Sequence, residues 1–147
     1  MGNQGELFQM TEQRKTWAEF VRAEPIGFAY GETCCCAFAM RWAAKLSGGE
    51  VPGAAILNQV RHKTSLEAWP VLDAMGGMAK AVNDALCAHG WKKSAAPENY
   101  GIVVIDNAGK DCAGIFVDGA VVTKAAKTGG ILILRNQTLK EHWTWQG

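Results

Sequence analysis

The sequence predicts an α+β protein, with N-terminal helices packed on a C-terminal antiparallel β-sheet. Three observations carry this reading. Apolar residues recur at helical spacing only ahead of Gly90, whereas beyond Pro97 short runs rich in Val and Ile alternate with turn residues. Between two of those runs stands Asp118-Gly119, the strongest short hairpin signal in the chain. Helices gathered first and strands gathered afterwards, without alternation, mark the α+β class.

The elements follow in order. Residues 1–15 are expected to form an arm, loose over 1–10, ahead of a single domain spanning 16–147. Thr16 with Glu19 three positions on reads as a capping box, and Trp17, Phe20 and Val21 follow at helical spacing. That short helix ends near Ala23, before Pro25. Residues 26–32 form a loop. The second helix is expected from an N-cap at Thr33 to Gly48-Gly49, with Phe38, Trp42, Cys35, Leu46 and Ala39 on one face at about 100° per residue. On this wheel Cys34 projects with Arg41 and Lys45, Cys36 falls on a third side, and only Cys35 points at the body of the protein.

Residues 50–90 mix loop and helix. Thr64-Ser65-Leu66-Glu67 offers a capping box before Trp69, Val71 and Leu72, and Pro70 must fall in the first turn or kink the helix. Gly76-Gly77 interrupts it, and Met78, Val82, Leu86 and Cys87 mark a helix ending at His89-Gly90. Four strands are expected over residues 101–106, 112–117, 120–124 and 131–134, joined as a meander. Thr138 and Glu141 are expected to cap a terminal turn that carries Trp143 and Trp145. Of the six tryptophans, Trp17, Trp42 and Trp69 are expected in the core, whereas Trp143 and Trp145 are the candidates for contact with a neighbour.

Composition excludes several functions. The 147 residues suffice for one domain with a core, and a net charge of +1 without basic runs argues against a nucleic-acid partner. No apolar run approaches the roughly 20 residues that cross a bilayer, so membrane insertion is not expected. The start of the chain lacks the basic-then-apolar order of a secretory leader, and Glu6 stands where a myristoylation motif needs Ser or Thr. Synthesis in a cytosol is therefore expected. Five cysteines, three of them adjacent, form no disulfide framework and include no C-x-x-C pair; reduced thiols and no cofactor are expected, and a zinc or Fe–S site built by this chain alone is not.

The chemistry concentrates in Cys34-Cys35-Cys36. A thiol at a helix N-terminus faces unpaired backbone N–H groups and the positive end of the helix dipole, both of which favour the nucleophilic thiolate.

A cysteine-headed helix ahead of an antiparallel sheet resembles the layout of papain-like peptidases of the NlpC type. There the nucleophile follows an Asp at a helix start, and the general-base His heads a strand reading roughly His-x-Gly-Ile-Tyr-x-Gly. Cys112-Ala113-Gly114-Ile115-Phe116-Val117-Asp118-Gly119 is similar to that strand and its hairpin. A closer similarity is to a family of small phage proteins related to this superfamily and encoded among tail-tip genes. Its members read approximately Pro-Phe-x-Trp-Gly-x-x-Asp-Cys-x-x-Phe; this chain has Gly27-Phe28-Ala29-Tyr30-Gly31-Glu32-Thr33-Cys34-Cys35-Cys36-Ala37-Phe38. The family's later strands resemble 101–117 and 129–134, and its closing tryptophan resembles Trp143, so the similarity covers most of 16–145.

The resemblance implies a papain-like fold with Cys35 in the nucleophile position, Cys34 in place of the usual Asp, Cys112 in place of the general-base His, and Thr123 near the third, polar position. It implies a virion structural or tail-assembly role at a phage tail tip or baseplate, with other phage tail proteins as partners, in a protein made in the bacterial cytoplasm. Loss of the His argues against hydrolysis, because a thiol of ordinary pKa near 8.5 replaces imidazole poorly, and a second thiolate would repel the first. Of the remaining histidines, His62, His89 and His142, none has a position that predicts contact with Cys35. Two alternatives stay open. One is an active cysteine hydrolase cutting peptidoglycan peptide bonds. The other is a Cys35–Cys112 redox pair, or a metal or Fe–S site shared with a partner, since the resembled fold would bring these positions into contact.

Overall fold

The computed structural model describes residues 4–61, 63–107 and 109–145. The architecture is α+β: helices α1 (Gln4–Ala23), α2 (Cys35–Ser47), α3 (Ala54–Val60), α4 (Ser65–Ala74) and α5 (Met78–Cys87) precede an antiparallel sheet. Its strands are β1 (Trp91–Lys93), β2 (Ile102–Asn107), β3 (Lys110–Val117), β4 (Ala120–Lys124), β5 (Ile131–Arg135) and β6 (Leu139–Trp145), ordered β1-β6-β2-β3-β4-β5. No helix among the described residues is long and apolar enough to cross a membrane.

Local signals explain most boundaries. α2 stops because Gly48 adopts the left-handed conformation (φ 73°) and its N–H returns to the Ala44 carbonyl. The capping box of α4 is formed, with Glu67 Oε1 accepting from both the Thr64 N–H and the Thr64 hydroxyl at 2.9 Å. Pro70 lies well inside α4, and the helix runs on to Ala74. The carbonyl that Pro70 leaves without an amide partner belongs to Leu66, which is exposed to water. Asp118 (φ 48°) and Gly119 (φ 83°) both take the left-handed region that a two-residue turn between Val117 and Ala120 requires.

Three expectations are corrected. α1 begins at Gln4, so Thr16 lies within a helix and caps nothing; Met1, Gly2 and Asn3 lie outside the described residues. The C-terminal segment is no capped turn. It is strand β6, inserted between β1 and β2 with Trp143 opposite Ile102 and Trp145 opposite Trp91. A register shift between Val104 and Ile105 leaves Lys140 as the extra residue, which turns Leu139 to the other face from Trp143. The expected four-strand meander is present as β2 to β5, and β6 and β1 extend the sheet beside β2. Finally, Trp143 is fully buried, with its indole N–H donating to Asn83 Oδ1 at 2.9 Å, and Trp145 packs on Trp91.

The main core lies between the helices and one face of the sheet. Phe38, Trp42, Met40 and Leu86 meet Ile102, Val104, Ile115 and Trp143 there. Trp42 anchors an aromatic group with Trp17, Phe20 and Tyr100, and its indole donates to the Tyr100 carbonyl at 2.9 Å. Alternate strand positions gather Val103, Ile105, Cys112 and Val121 in a second cluster. Cys35 packs against both clusters, at the place where the helical layer meets the sheet.

Candidate functional site

The loop before α2 is held on three sides. Thr33, expected as the N-cap, instead closes the turn over 29–33: its hydroxyl accepts the Ala29 N–H at 2.9 Å, and the Thr33 and Cys34 N–H groups donate to the Ala29 carbonyl. Gly31 (φ 79°) lies so close to α3 that a Cβ there would meet the Leu57 carbonyl oxygen at 2.2 Å. Gly27 donates its N–H to the Gly129 carbonyl at 2.9 Å, which ties the loop to the β4–β5 connection.

Buried charge completes the attachment. The Glu24 carboxylate, 2% exposed, pairs with Arg41 of α2 and with Lys124 at the end of β4. Lys124 is wholly buried and also donates to the Pro25 carbonyl at 2.7 Å, while Arg41 donates to the Glu32 carbonyl. One carboxylate, its two cationic partners and two backbone oxygens thus share the desolvation. Nothing local in the sequence signals this cluster beyond a lone Lys closing an otherwise uncharged strand.

Cys34 is the N-cap of α2, with extended backbone (φ −71°, ψ 174°) and no side-chain capping bond. Because it precedes the helical turns, the 100° wheel does not apply to it. Its side chain enters the main core and is the most buried of the three adjacent thiols, so the expectation that only Cys35 faces inward is corrected. Cys36 lies against a small apolar cavity beside Met40, Leu57 and Met78.

The structure brings Cys35, Cys112 and Thr123 together. Cys35 packs against the cluster that holds Cys112, and both sulfurs line one cleft. Thr123 Oγ1 lies 3.4 Å from Cys112 Sγ and donates to the Ala113 carbonyl at 2.7 Å. This cross-link falls where β3 and β4 part. Their paired residues run from Val117↔Ala120 to Ile115↔Val122, and beyond Ile115 the Thr123 hydroxyl makes the connection.

Proton affinities of the two sulfurs diverge. Cys35 is pushed well above the ordinary thiol range, first by its hydrogen bond to Cys112, then by burial and by the neighbouring sulfurs. Cys112 is drawn down to about 7, first by the bond from Cys35 and then by Thr123, against the cost of burial. Burial pushes Cys36 up to about 12. The pair therefore loses its first proton from Cys112, with Cys35 S–H as donor to the thiolate. Position at a helix N-terminus does not make Cys35 the ionised sulfur, because the adjacent thiolate outweighs the dipole.

Cys35 and Cys112 open into a cleft of about 680 Å³, walled by Phe28, Tyr30 and Trp69 and edged by Lys110 and Lys127. Lys110 Nζ sits 5.7 Å from the centre of the Trp69 ring. His142 Nδ1 is engaged with Ser94 Oγ at 2.9 Å, and neither His142 nor His89 lines the cleft; His62 lies outside the described residues. Among the described residues, no group of three or more His, Cys, Asp or Glu is placed to hold a metal ion. Cys87 is exposed at the end of α5, and Trp91 Nε1 is buried without a hydrogen-bond partner.

No family model, curated protein or solved structure matches this chain.

Proposed function

We propose that this is an NlpC-type papain-like fold kept for structure, serving as a component of a phage tail tip or baseplate, or of its assembly, with a site that has lost hydrolysis. The observation that carries the reading is the thiol of Cys112 standing against Cys35 where a cysteine peptidase needs imidazole. Hydrolysis by cysteine needs a thiolate nucleophile and an acid to protonate the leaving amine. Here Cys35 is the sulfur that keeps its proton, and Cys112, drawn down to about 7, stabilises that protonated state. Thr123 contacts Cys112 as a third triad member would contact its base, so the chain of contacts persists without the base itself.

Assembly requires surface for neighbours. The sheet ends in two edge strands, β1 and β5, and β5 presents Ile133 to solvent, as the loops and helices present Ile26 and Leu66. In this reading the partners are other tail proteins, and the location is the virion after synthesis in the host cytoplasm.

Deleting the gene from its phage is expected to yield defective tails, restored by the wild-type gene and equally by Cys35→Ala. Intact, infectious particles from the deletion would overturn the proposal. Cleavage of muropeptides by purified wild-type protein, lost in Cys35→Ala, would establish the hydrolase alternative in its place.

A further inference from the structure

The two sulfurs at the cleft have a chemistry that tail assembly does not use. Cys35 and Cys112 are the only described cysteines lining the cleft: Cys34 is in the core, Cys36 faces a separate apolar cavity, and Cys87 stands alone at the surface with Asn83 as its partner at 3.5 Å. Cys35 packs against the cluster that holds Cys112, and each comes from a different layer of the fold. The cleft is walled by Phe28, Tyr30 and Trp69, with Cys35 half-buried and Cys112 more deeply set. At its edge Lys110 and Lys127 carry positive charge, whereas the carboxylate of Asp111 is neutralised by Lys140 at 2.6 Å.

We propose that Cys112 and Cys35 form a reversible dithiol–disulfide couple, oxidised by a small anionic disulfide of the glutathione class that enters this cleft, with Cys112 attacking and Cys35 resolving. In the first step Cys112 sulfur attacks one sulfur of the small disulfide; a Cys112–S–S–R bond forms, the S–S bond of the reagent breaks, and one small thiolate leaves. Cys35 then loses its proton to the departing thiolate or to water. Its sulfur attacks Cys112 Sγ, forms the Cys35–Cys112 bond and expels the second small thiolate. Two electrons pass from the protein sulfurs to the reagent, and the two protein thiol hydrogens end on two small thiols.

The order of the sulfurs follows from their environments. Cys112 ionises near neutrality and is held by Thr123, whereas Cys35 keeps its proton until the negative charge on Cys112 is consumed in the mixed disulfide. The positive edge suits carboxylates on the reagent, and the aromatic walls suit its backbone. The couple is independent of the tail-tip reading, since a deletion phage that remains infectious would leave it untouched.

The test uses the full chain with Cys87→Ser, which removes the exposed bystander. Fully reduced protein is exposed anaerobically to oxidised glutathione near neutral pH, quenched in acid, alkylated and mapped by mass spectrometry. The expected product has lost two hydrogens and gives a linked Cys35–Cys112 peptide. Adding Cys35→Ser is expected to trap one glutathione on Cys112, and adding Cys112→Ser to abolish both products. Complete oxidation without the linked peptide, or an adduct on Cys35 or Cys36 in place of Cys112, would overturn the proposal. Should a serine variant fail to fold, the presence or absence of the linked peptide in the Cys87→Ser protein decides alone.

Discussion

Thr123 Oγ1 lies 2.7 Å from the Ala113 carbonyl oxygen and 3.4 Å from Cys112 Sγ, so its one hydroxyl hydrogen joins β3 to β4 where their ladder has parted, and supports the Cys112 thiolate only by turning from the carbonyl to the sulfur. Thr123→Val keeps the shape and removes the hydroxyl. A buried carbonyl deprived of its partner costs about 1–3 kcal/mol. Urea unfolding is expected to show that loss, and the pH dependence of Cys112 alkylation is expected to shift its midpoint above about 7. A stability loss with an unmoved midpoint would remove Thr123 from the thiol's electrostatics.

The divergence of the thiols predicts how stability follows pH. Cys112 ionises near 7 in the folded chain, below the ordinary thiol range of about 8.5–9, so between these values the unfolded chain binds more protons and stability rises with pH. Two pH units of difference correspond to about 2–3 kcal/mol at most. Above 9.0 the sign reverses: unfolded thiols ionise while Cys35 and Cys36 remain protonated, Cys36 until about 12, so the folded chain binds more protons and stability falls. Unfolding midpoints measured from about pH 6 to about pH 11 are expected to pass through a maximum near 9, and Cys112→Ser is expected to flatten the rising limb. A rising limb unchanged in Cys112→Ser would assign it to other groups.

What the sequence revealed about this fold is what local chemistry decides. The Gly48 stop of α2, the Thr64–Glu67 box and the Asp118-Gly119 turn each depend on a few consecutive residues. Strands β1 and β6 were illegible because they exist through each other: three residues at Trp91 become a strand only when Trp145 lies opposite. The same pairing buries Trp143, which a reading of the terminus alone places at the surface. At the site, the meeting of Cys35, Cys112 and Thr123 depends on packing between distant segments, which no local spacing prescribes. Which sulfur ionises depends on burial and on a bond between residues far apart in the chain, and neither is written in local spacing.

Glu24 offers a direct measure of how the α2 loop is secured. Glu24→Gln keeps the volume but leaves the fully buried Lys124 with only the Pro25 carbonyl, and deprives Arg41 of its carboxylate. Removing one member of a buried ionic group costs about 3–5 kcal/mol, because the remaining charges stay desolvated. Urea unfolding is expected to show a loss in that range. Lys124→Met, which leaves the Glu24–Arg41 pair intact, is expected to cost less. Equal losses would mean that the lysine, and not the carboxylate, organises the cluster.

Gly129 and Gly27 make the same attachment through shape. A Cβ on Gly129 would fall 2.4 Å from the Gly27 Cα and 2.5 Å from its nitrogen, and Gly129 has φ 71°. The obstacle is backbone, so it yields only if the loop moves away, taking with it Phe28 and Tyr30 from the wall of the cleft. Gly119 has φ 83° but no atom within 4 Å of its notional Cβ, which isolates the conformational cost from the collision. Gly119→Ala is expected to lose about 1 kcal/mol, and Gly129→Ala clearly more, about 2–4 kcal/mol. Only Gly129→Ala is expected to speed alkylation of Cys35, because only there does relief of the clash open the loop that covers it. Equal alkylation rates in the two variants would show that the loop accommodates the methyl group without leaving the site.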